Sequence, residues 1–238
     1  RDKETRETKR ILLNTIMNPT INIITRTRNR PKAFKLCAES LKLQTYTNIH
    51  QVITCQVEED LEYINQFKLP NSTVVRVPNL TKDREIHTYK DGIHLTHAPY
   101  NTFINEAQKH VKEGWIMYLD DDDMLTYENS IEVLVSEINQ YDLDTKHLWK
   151  VQFPGYSIPR DDWFREYQKG IPLKCGQISG IGVLFHSSHI DKVTWHEWAC
   201  GDYFSMKGLE ETFPKRNMID ATLTRLQSQP GKGLAQDL

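Results

Sequence analysis

The chain has 238 residues, 38 % of them hydrophobic and 26 % charged, which is enough to bury one large core beneath a wet surface. Thirty basic residues face 32 acidic ones, for a formal net charge of −2, so there is no basic footprint for a nucleic-acid backbone. No apolar run approaches the roughly 20 residues that a bilayer span requires.

Residues 1–19 read as a charged, helical lead-in that ends at Asn18-Pro19. The chain starts at Arg1 with the polar stretch Arg1–Arg10, which is expected to be the cut edge of a larger polypeptide with further domains. Ile21-Asn22-Ile23-Ile24 is a short apolar run suited to a buried strand. It leads into the polar turn Thr25-Arg26-Thr27-Arg28-Asn29-Arg30-Pro31, and Pro31 fits the first turn of a helix over 32–43 through Phe34, Cys37, Ala38 and Leu41. Residues 49–55 and 73–77 read as the second and third strands, and 79–98 as a loop.

A helix follows Pro99 with Phe103, Ala107 and Val111 on one face, and Gly114 ends it. Trp115-Ile116-Met117-Tyr118-Leu119 is a buried strand that runs straight into Asp120-Asp121-Asp122-Asp123. Residues 130–141 read as a helix, 147–153 and 181–186 as strands, and 154–180 as a long irregular segment. Residues 20–227 form a single domain under this reading, and 228–238 has linker composition. Strands alternating with helices imply an α/β fold with a largely parallel sheet covered on both faces.

The four cysteines, Cys37, Cys55, Cys175 and Cys200, have no CxxC spacing and no zinc-type His pair. Free, buried thiols are expected, which favours a reducing, cytoplasmic setting.

Four consecutive aspartates after a buried strand repel one another, and water or a bound cation must relieve that repulsion. The carboxyl ends of strands in an open α/β sheet are where ligands bind. Mg²⁺ or Mn²⁺ takes carboxylate oxygens and bridges to phosphates, so the cluster is equipped for a metal–diphosphate. A solvated turn is the bland alternative.

Several segments in order resemble glycosyltransferase family 2. Ile23-Ile24-Thr25-Arg26-Thr27 through Asn29-Arg30-Pro31 resembles the first strand and donor loop. Ser40-Leu41 with Gln44-Thr45-Tyr46 resembles a helix end of that family. Asn101 to Asn105 and Gly114 to Leu125 resemble its helix, strand and acidic segment. Ser179-Gly180-Ile181-Gly182 and Cys200-Gly201-Asp202-Tyr203 resemble the acceptor-side strand and the loop bearing the catalytic base. The resemblance implies a GT-A fold: Rossmann-like, with a mostly parallel central sheet flanked by helices, in a single domain.

It also implies an inverting, metal-dependent glycosyltransferase that takes a nucleotide-diphosphate sugar donor and a carbohydrate acceptor. Asp122 would be the direct metal ligand, and Asp120 would share the metal or hold the ribose. Thr25, Arg26, Arg30, Asn105, Asp120 and Asp121 would contact the nucleotide, and Asp202 would be the general base. For Arg26 and Arg30 the residue type agrees, because guanidinium groups pair with phosphate, although ordinary loop charge explains them equally well. Asn105 reaches the nucleotide or caps local backbone. Trp195 and Trp198 flank Glu197, and aromatic faces beside a carboxylate suit a sugar acceptor.

Two departures stand out. Thr54-Cys55-Gln56-Val57 lacks the acid that the family carries after its second strand, with Glu58-Glu59-Asp60 displaced downstream. The QxxRW motif of processive members is absent, which points to single transfer. Rival readings are a nucleotidyltransferase, which would carry a glycine-rich loop where Thr25–Asn29 has no glycine, and a non-catalytic carbohydrate-binding domain.

Overall fold

The computed structural model describes residues 18–77, 87–90, 93–96, 98–197 and 201–227, without the side chains of 87–90, 93–96, Pro99 and Asp202. The lead-in through residue 17, the tail 228–238, Trp198 and Cys200 lie outside the described residues.

The strands are β1 (Ile21–Arg26), β2 (Ile49–Cys55), β3 (Ser72–Arg76), β4 (His87–Lys90), β5 (Ile93–Thr96), β6 (Trp115–Tyr118), β7 (Asp123–Leu125), β8 (Thr145–Phe153), β9 (Tyr156–Ile158), β10 (Val183–His186) and β11 (Lys215–Leu226). The helices are α1 (Pro31–Lys42), α2 (Asp60–Phe67), α3 (Thr102–Gln108), α4 (Ser130–Ile138), α5 (Asp161–Gln168) and α6 (Gly201–Thr212). The main sheet runs β3-β2-β1-β6-β10-β8-β11-β7, and β9 pairs with β8. β1, β2, β3, β6, β8 and β11 share one direction, and β7, β9 and β10 run against them. The sheet is therefore mostly parallel, as expected.

Pleat alternation sorts the apolar residues onto two faces. Ile21, Ile23, Trp115 and Met117 join Cys37 and Leu41 of α1 and Ile131, Leu134 and Ile138 of α4. Ile24, Ile116 and Tyr118 point the other way, toward Ile104 and Ala107 of α3 and Leu209 and Phe213 near the end of α6. α1 forms because Pro31 pre-sets its first turn and Ala33, Phe34, Cys37, Ala38 and Leu41 fall on one stripe. Cys37 and Cys55 are buried, free thiols, and Cys175 is half-buried and forms no disulfide among the described residues.

Four expectations are corrected. The stretch 79–98 is not wholly a loop, because β4 and β5 pair within it as a two-stranded antiparallel hairpin. The helix after Pro99 ends at Gln108, before Val111 and Gly114. The segment 154–180 holds β9 and α5; Phe164 and Tyr167, one turn apart, give that helix its buried stripe. Strand β11 is a twelve-residue element parallel to β8 where none was expected.

Two buried histidines give the fold a pH dependence. His147 is fully buried, and its ring meets the edges of Trp115 and Tyr141. Burial lowers its pKa to about 4. His50 sits between Asn22 Oδ1 and Thr73 Oγ1, each at 3.0 Å, and burial with nearby Lys112 lowers it to about 4 as well. The unfolded chain takes up these protons near the ordinary value of about 6.5. At these two groups the unfolded state therefore binds more protons between pH 6.5 and 4, so they withdraw stability as pH falls, in the opposite sense to the raised carboxylates of Asp121 and Asp123. Each histidine contributes a slope of up to about 1.4 kcal/mol per pH unit there. In urea unfolding from pH 7.5 to 4, His147→Gln is expected to lose less stability on acidification than the wild type. Equal slopes would mean that His147 already titrates normally in the fold.

Candidate functional site

β1 and β6 are adjacent and parallel, so the loop after β1 and the aspartates after β6 emerge at the same carboxyl edge. Arg26 and Arg30 cross that gap. Arg26 makes a two-pronged pair with Asp120, Nε to Oδ1 at 2.7 Å and Nη2 to Oδ2 at 2.6 Å. Its Nη1 donates to Asn101 Oδ1 at 2.6 Å. The guanidinium lies 5.1 Å from the Tyr100 ring centre and 5.9 Å from that of Trp195. Arg30 Nη1 pairs with Asp121 Oδ1 at 2.8 Å and Asp122 Oδ2 at 3.1 Å.

The four aspartates occupy different environments. Asp121 is buried, with its carboxylate between Arg30 and Thr27 Oγ1 at 2.8 Å. Burial pushes it up to about 7, against the pull of Arg30. Asp122 is half-buried, and burial, followed by the charge of Asp120, raises its pKa. Asp123 is buried at the start of β7, and burial with its three acidic neighbours holds it well above the usual carboxylate range. For Arg30, burial works against the charge, but Asp121 and Asp122 more than offset it and the pKa is raised.

The residues fit a divalent cation. Asp120, Asp122 and Asp123 can each bring a carboxylate oxygen within 4.8 Å of the others, a hard oxygen donor set. Asp120, Asp121 and Asp122 pair with the guanidiniums of Arg26 and Arg30, Asp123 adds a fourth acid beside them, and a divalent ion would relieve the mutual repulsion that adds to burial in raising Asp122 and Asp123.

The remaining expected residues take distinct positions. Thr25 is fully buried inside the sheet and accepts from Gln51 Nε2 at 3.3 Å. Asn105 clamps the Trp195 main chain: its Nδ2 donates to Trp195 O and its Oδ1 accepts from Trp195 N, both at 2.8 Å. Trp195 is buried edge-on against Tyr118, with ring centres 5.0 Å apart. Asp202 is the second residue of α6, and Trp198 lies outside the described residues.

Sequence reasoning missed a supporting network. The Asp60 carboxylate is buried and accepts from Asn29 N at 2.7 Å, from Val57 N at 3.4 Å and from Tyr63 Oη at 3.1 Å. Tyr63 Oη is 2.9 Å from Thr27 Oγ1, which continues the chain to Asp121. Asn29, at φ 50°, makes the left-handed step that turns Arg30 back toward the cluster. From the far side, Gln227 Nε2 donates to Asp121 O and Gln227 N to Asp122 O, each at 2.9 Å. The acidic start of α2 was the available signal for Asp60; nothing local marked Gln227.

No family model and no curated protein matches the sequence. Solved structures do match. The TarS 1–349 crystal structure from S. aureus superposes with a TM-score of 0.62 at 14 % identity, covering 88 % of this chain and 61 % of that one. Its complex with UDP-GlcNAc gives 0.63 at 13 % identity, covering 90 % and 60 %. The mannosyltransferase PcManGT from Pyrobaculum calidifontis, in complex with GDP-Man and Mn²⁺, gives 0.59 at 10 % identity, covering 91 % and 59 %. The chain thus spans about three-fifths of the length of these structures. Its fold is GT-A-like, the α/β architecture of these glycosyltransferases.

Proposed function

We propose that this domain is an inverting glycosyltransferase that moves a hexosyl group from a nucleotide-diphosphate sugar to a hydroxyl of a carbohydrate acceptor, with Mn²⁺ or Mg²⁺ as cofactor. The observation that carries this reading is the Asp120–Asp123 cluster at the carboxyl edge of β6, cross-braced by two arginines from the loop after β1. Two of the similar structures hold nucleotide sugars, and one also holds Mn²⁺.

Asp122, with Asp120 and Asp123, would hold the cation. When bound, it supplies positive charge where the leaving diphosphate gains negative charge. Arg30 and Arg26 stand beside the same carboxylates and would contact the diphosphate as the cation draws those carboxylates to itself. Asp121, buried between Thr27 and Arg30, holds the donor loop to the cluster and so shapes the nucleotide site. Thr25 and Asn105 support the walls. Trp195 backs the site beside Tyr100 and Arg26, and Trp198 would meet the acceptor sugar.

In the reaction the acceptor oxygen attacks the anomeric carbon, and the bond from that carbon to the diphosphate oxygen breaks. The diphosphate leaves with the electron pair, and the acceptor's proton passes to Asp202. One displacement from the face opposite the leaving group inverts the anomeric centre.

The test is incubation with a panel of UDP- and GDP-sugars, with Mn²⁺ or with chelator, following release of nucleoside diphosphate. Cation-dependent release from one donor class is expected. Binding of free sugars without any release would assign the chain to the non-catalytic reading, and release of pyrophosphate from nucleoside triphosphates to the nucleotidyltransferase one.

A further inference from the structure

We propose that Asn101 is a positioning residue that couples the donor-side carboxylates to the helix bearing Asp202; this rests on the function proposed above. Asn101 is buried, and one planar amide faces both sides of the site. Its Oδ1 accepts from Arg26 Nη1 at 2.6 Å, and Arg26 holds Asp120 with its other two nitrogens. At the opposite end, Asn101 Nδ2 lies 2.4 Å from where a Cβ on Gly201 would sit, with the Trp195 ring 3.4 Å from the same point. Gly201 opens α6 and immediately precedes Asp202. Glycine is what admits the asparagine to the start of that helix.

The segment around Asn101 is fixed to the same wall at two further points. Ala98 N donates to Glu197 O at 2.6 Å, and Asn105 holds the Trp195 main chain in both directions. On its other side α3 packs on β1 and β2. Residues 98–105 therefore form a bracket between the strand edge that carries Arg26 and the chain that leads into Asp202. A cation drawn to Asp120 competes with Arg26 for that carboxylate. Any shift of Arg26 alters its bond to Asn101, whose side chain reaches from Arg26 to the helix start. Loading of the donor site is thereby transmitted to the first turn of α6.

Hydrogen exchange of the peptide covering that turn, without and with Mn²⁺ plus UDP or GDP, reads the coupling directly. In the wild type, Mn²⁺–nucleotide is expected to change exchange there. In Asn101→Ala it is expected to bind but leave exchange unchanged. Turnover of Asn101→Ala is expected to fall about 10²-fold with donor KM held within about threefold, the mark of misplaced reacting groups. A wild-type-like exchange response in Asn101→Ala overturns the proposal while leaving the function intact. Absence of any Mn²⁺–nucleotide binding in the wild type overturns both. A second test needs no ligand. Gly201→Ala is expected to lower Tm through the clash with Asn101, and Asn101→Ala/Gly201→Ala to be more stable than Gly201→Ala alone. Strictly additive losses would show that the contact does not govern the helix start.

Discussion

Replacing Asp122 with Asn is expected to abolish the cation dependence of nucleotide binding and to reduce donor affinity and turnover together. Asn keeps the shape of the side chain and can still accept a hydrogen bond from Arg30, which lies 3.1 Å away. What it loses is charge, and a hard dication depends on charged oxygen donors. Asp122 is the acid best placed to give that charge to a ligand. Asp121 is buried and bonded to Thr27 and Arg30, and Asp123 is buried in β7. Burial and the neighbouring Asp120 already raise the affinity of Asp122 for a proton, and a divalent cation relieves the same repulsion more strongly.

Calorimetry with UDP and GDP, with Mn²⁺ and with chelator, makes the comparison. The wild type is expected to bind nucleotide more weakly in chelator. Asp122→Asn should bind equally in both, at an affinity lower by more than about 10²-fold than the Mn²⁺-loaded wild type. Asp123→Asn should retain part of the metal effect. Full retention in Asp122→Asn, with loss in Asp120→Asn or Asp123→Asn, would move the ligand role to one of those neighbours.

The strands that build this edge were legible because they are buried on both faces. Ile21–Ile24, Ile49–Cys55 and Trp115–Leu119 are nearly unbroken apolar or small-polar runs, and the structure returns them within about two residues. β11 was not legible, because its few buried residues follow no regular alternation. In Lys-Arg-Asn-Met-Ile-Asp-Ala-Thr-Leu-Thr-Arg-Leu the anchors Ile219, Leu223 and Thr224 are spread among charged residues, and the register breaks at irregularities opposite β8. Its pairing with β8 comes from contacts such as Trp149 Nε1 to Thr224 Oγ1, 75 positions apart, which no local window contains. α2 was missed for a related reason. It has eight residues and buries only Asp60, Tyr63 and Ile64, too short a stripe to establish a helical period.

In the site, placing Arg26, Arg30 and the aspartates at one edge followed from strand order alone. Which arginine meets which carboxylate did not, because each pair spans about 90 positions and depends on the left-handed turn at Asn29. Asn105 shows the same limit. An asparagine on a helix beside a ligand edge fits nucleotide contact and backbone support equally well, and only the tertiary position of Trp195 shows its amide holding that main chain. Trp195 itself packs on Tyr118, so its burial depends on a residue 77 positions earlier in the chain.

Asp202→Asn is expected to lower turnover by roughly 10²–10⁴-fold, the usual range for a general base, while donor binding stays near the wild-type value. Attack by a sugar hydroxyl needs a group that takes its proton as the new bond forms, and an Asn at this position has no basic oxygen to do so. The placement argument is one of backbone. Asp202 follows Gly201, which packs against Asn101, and Asn101 bonds the arginine that holds Asp120. The start of α6 thus lies beside the carboxylate edge but against Trp195, on the side proposed to receive the acceptor and away from the proposed cation ligands. Loss of its charge should leave the diphosphate's contacts untouched, the opposite of Asp122→Asn, where binding and turnover fall together. Turnover, donor affinity and the anomeric configuration of the product, read by NMR, decide between them. Near-normal turnover in Asp202→Asn would exclude this residue as the base. A product that retains the donor's configuration would exclude a single displacement altogether, and a covalent glycosyl-enzyme formed on another nucleophile would then have to be sought.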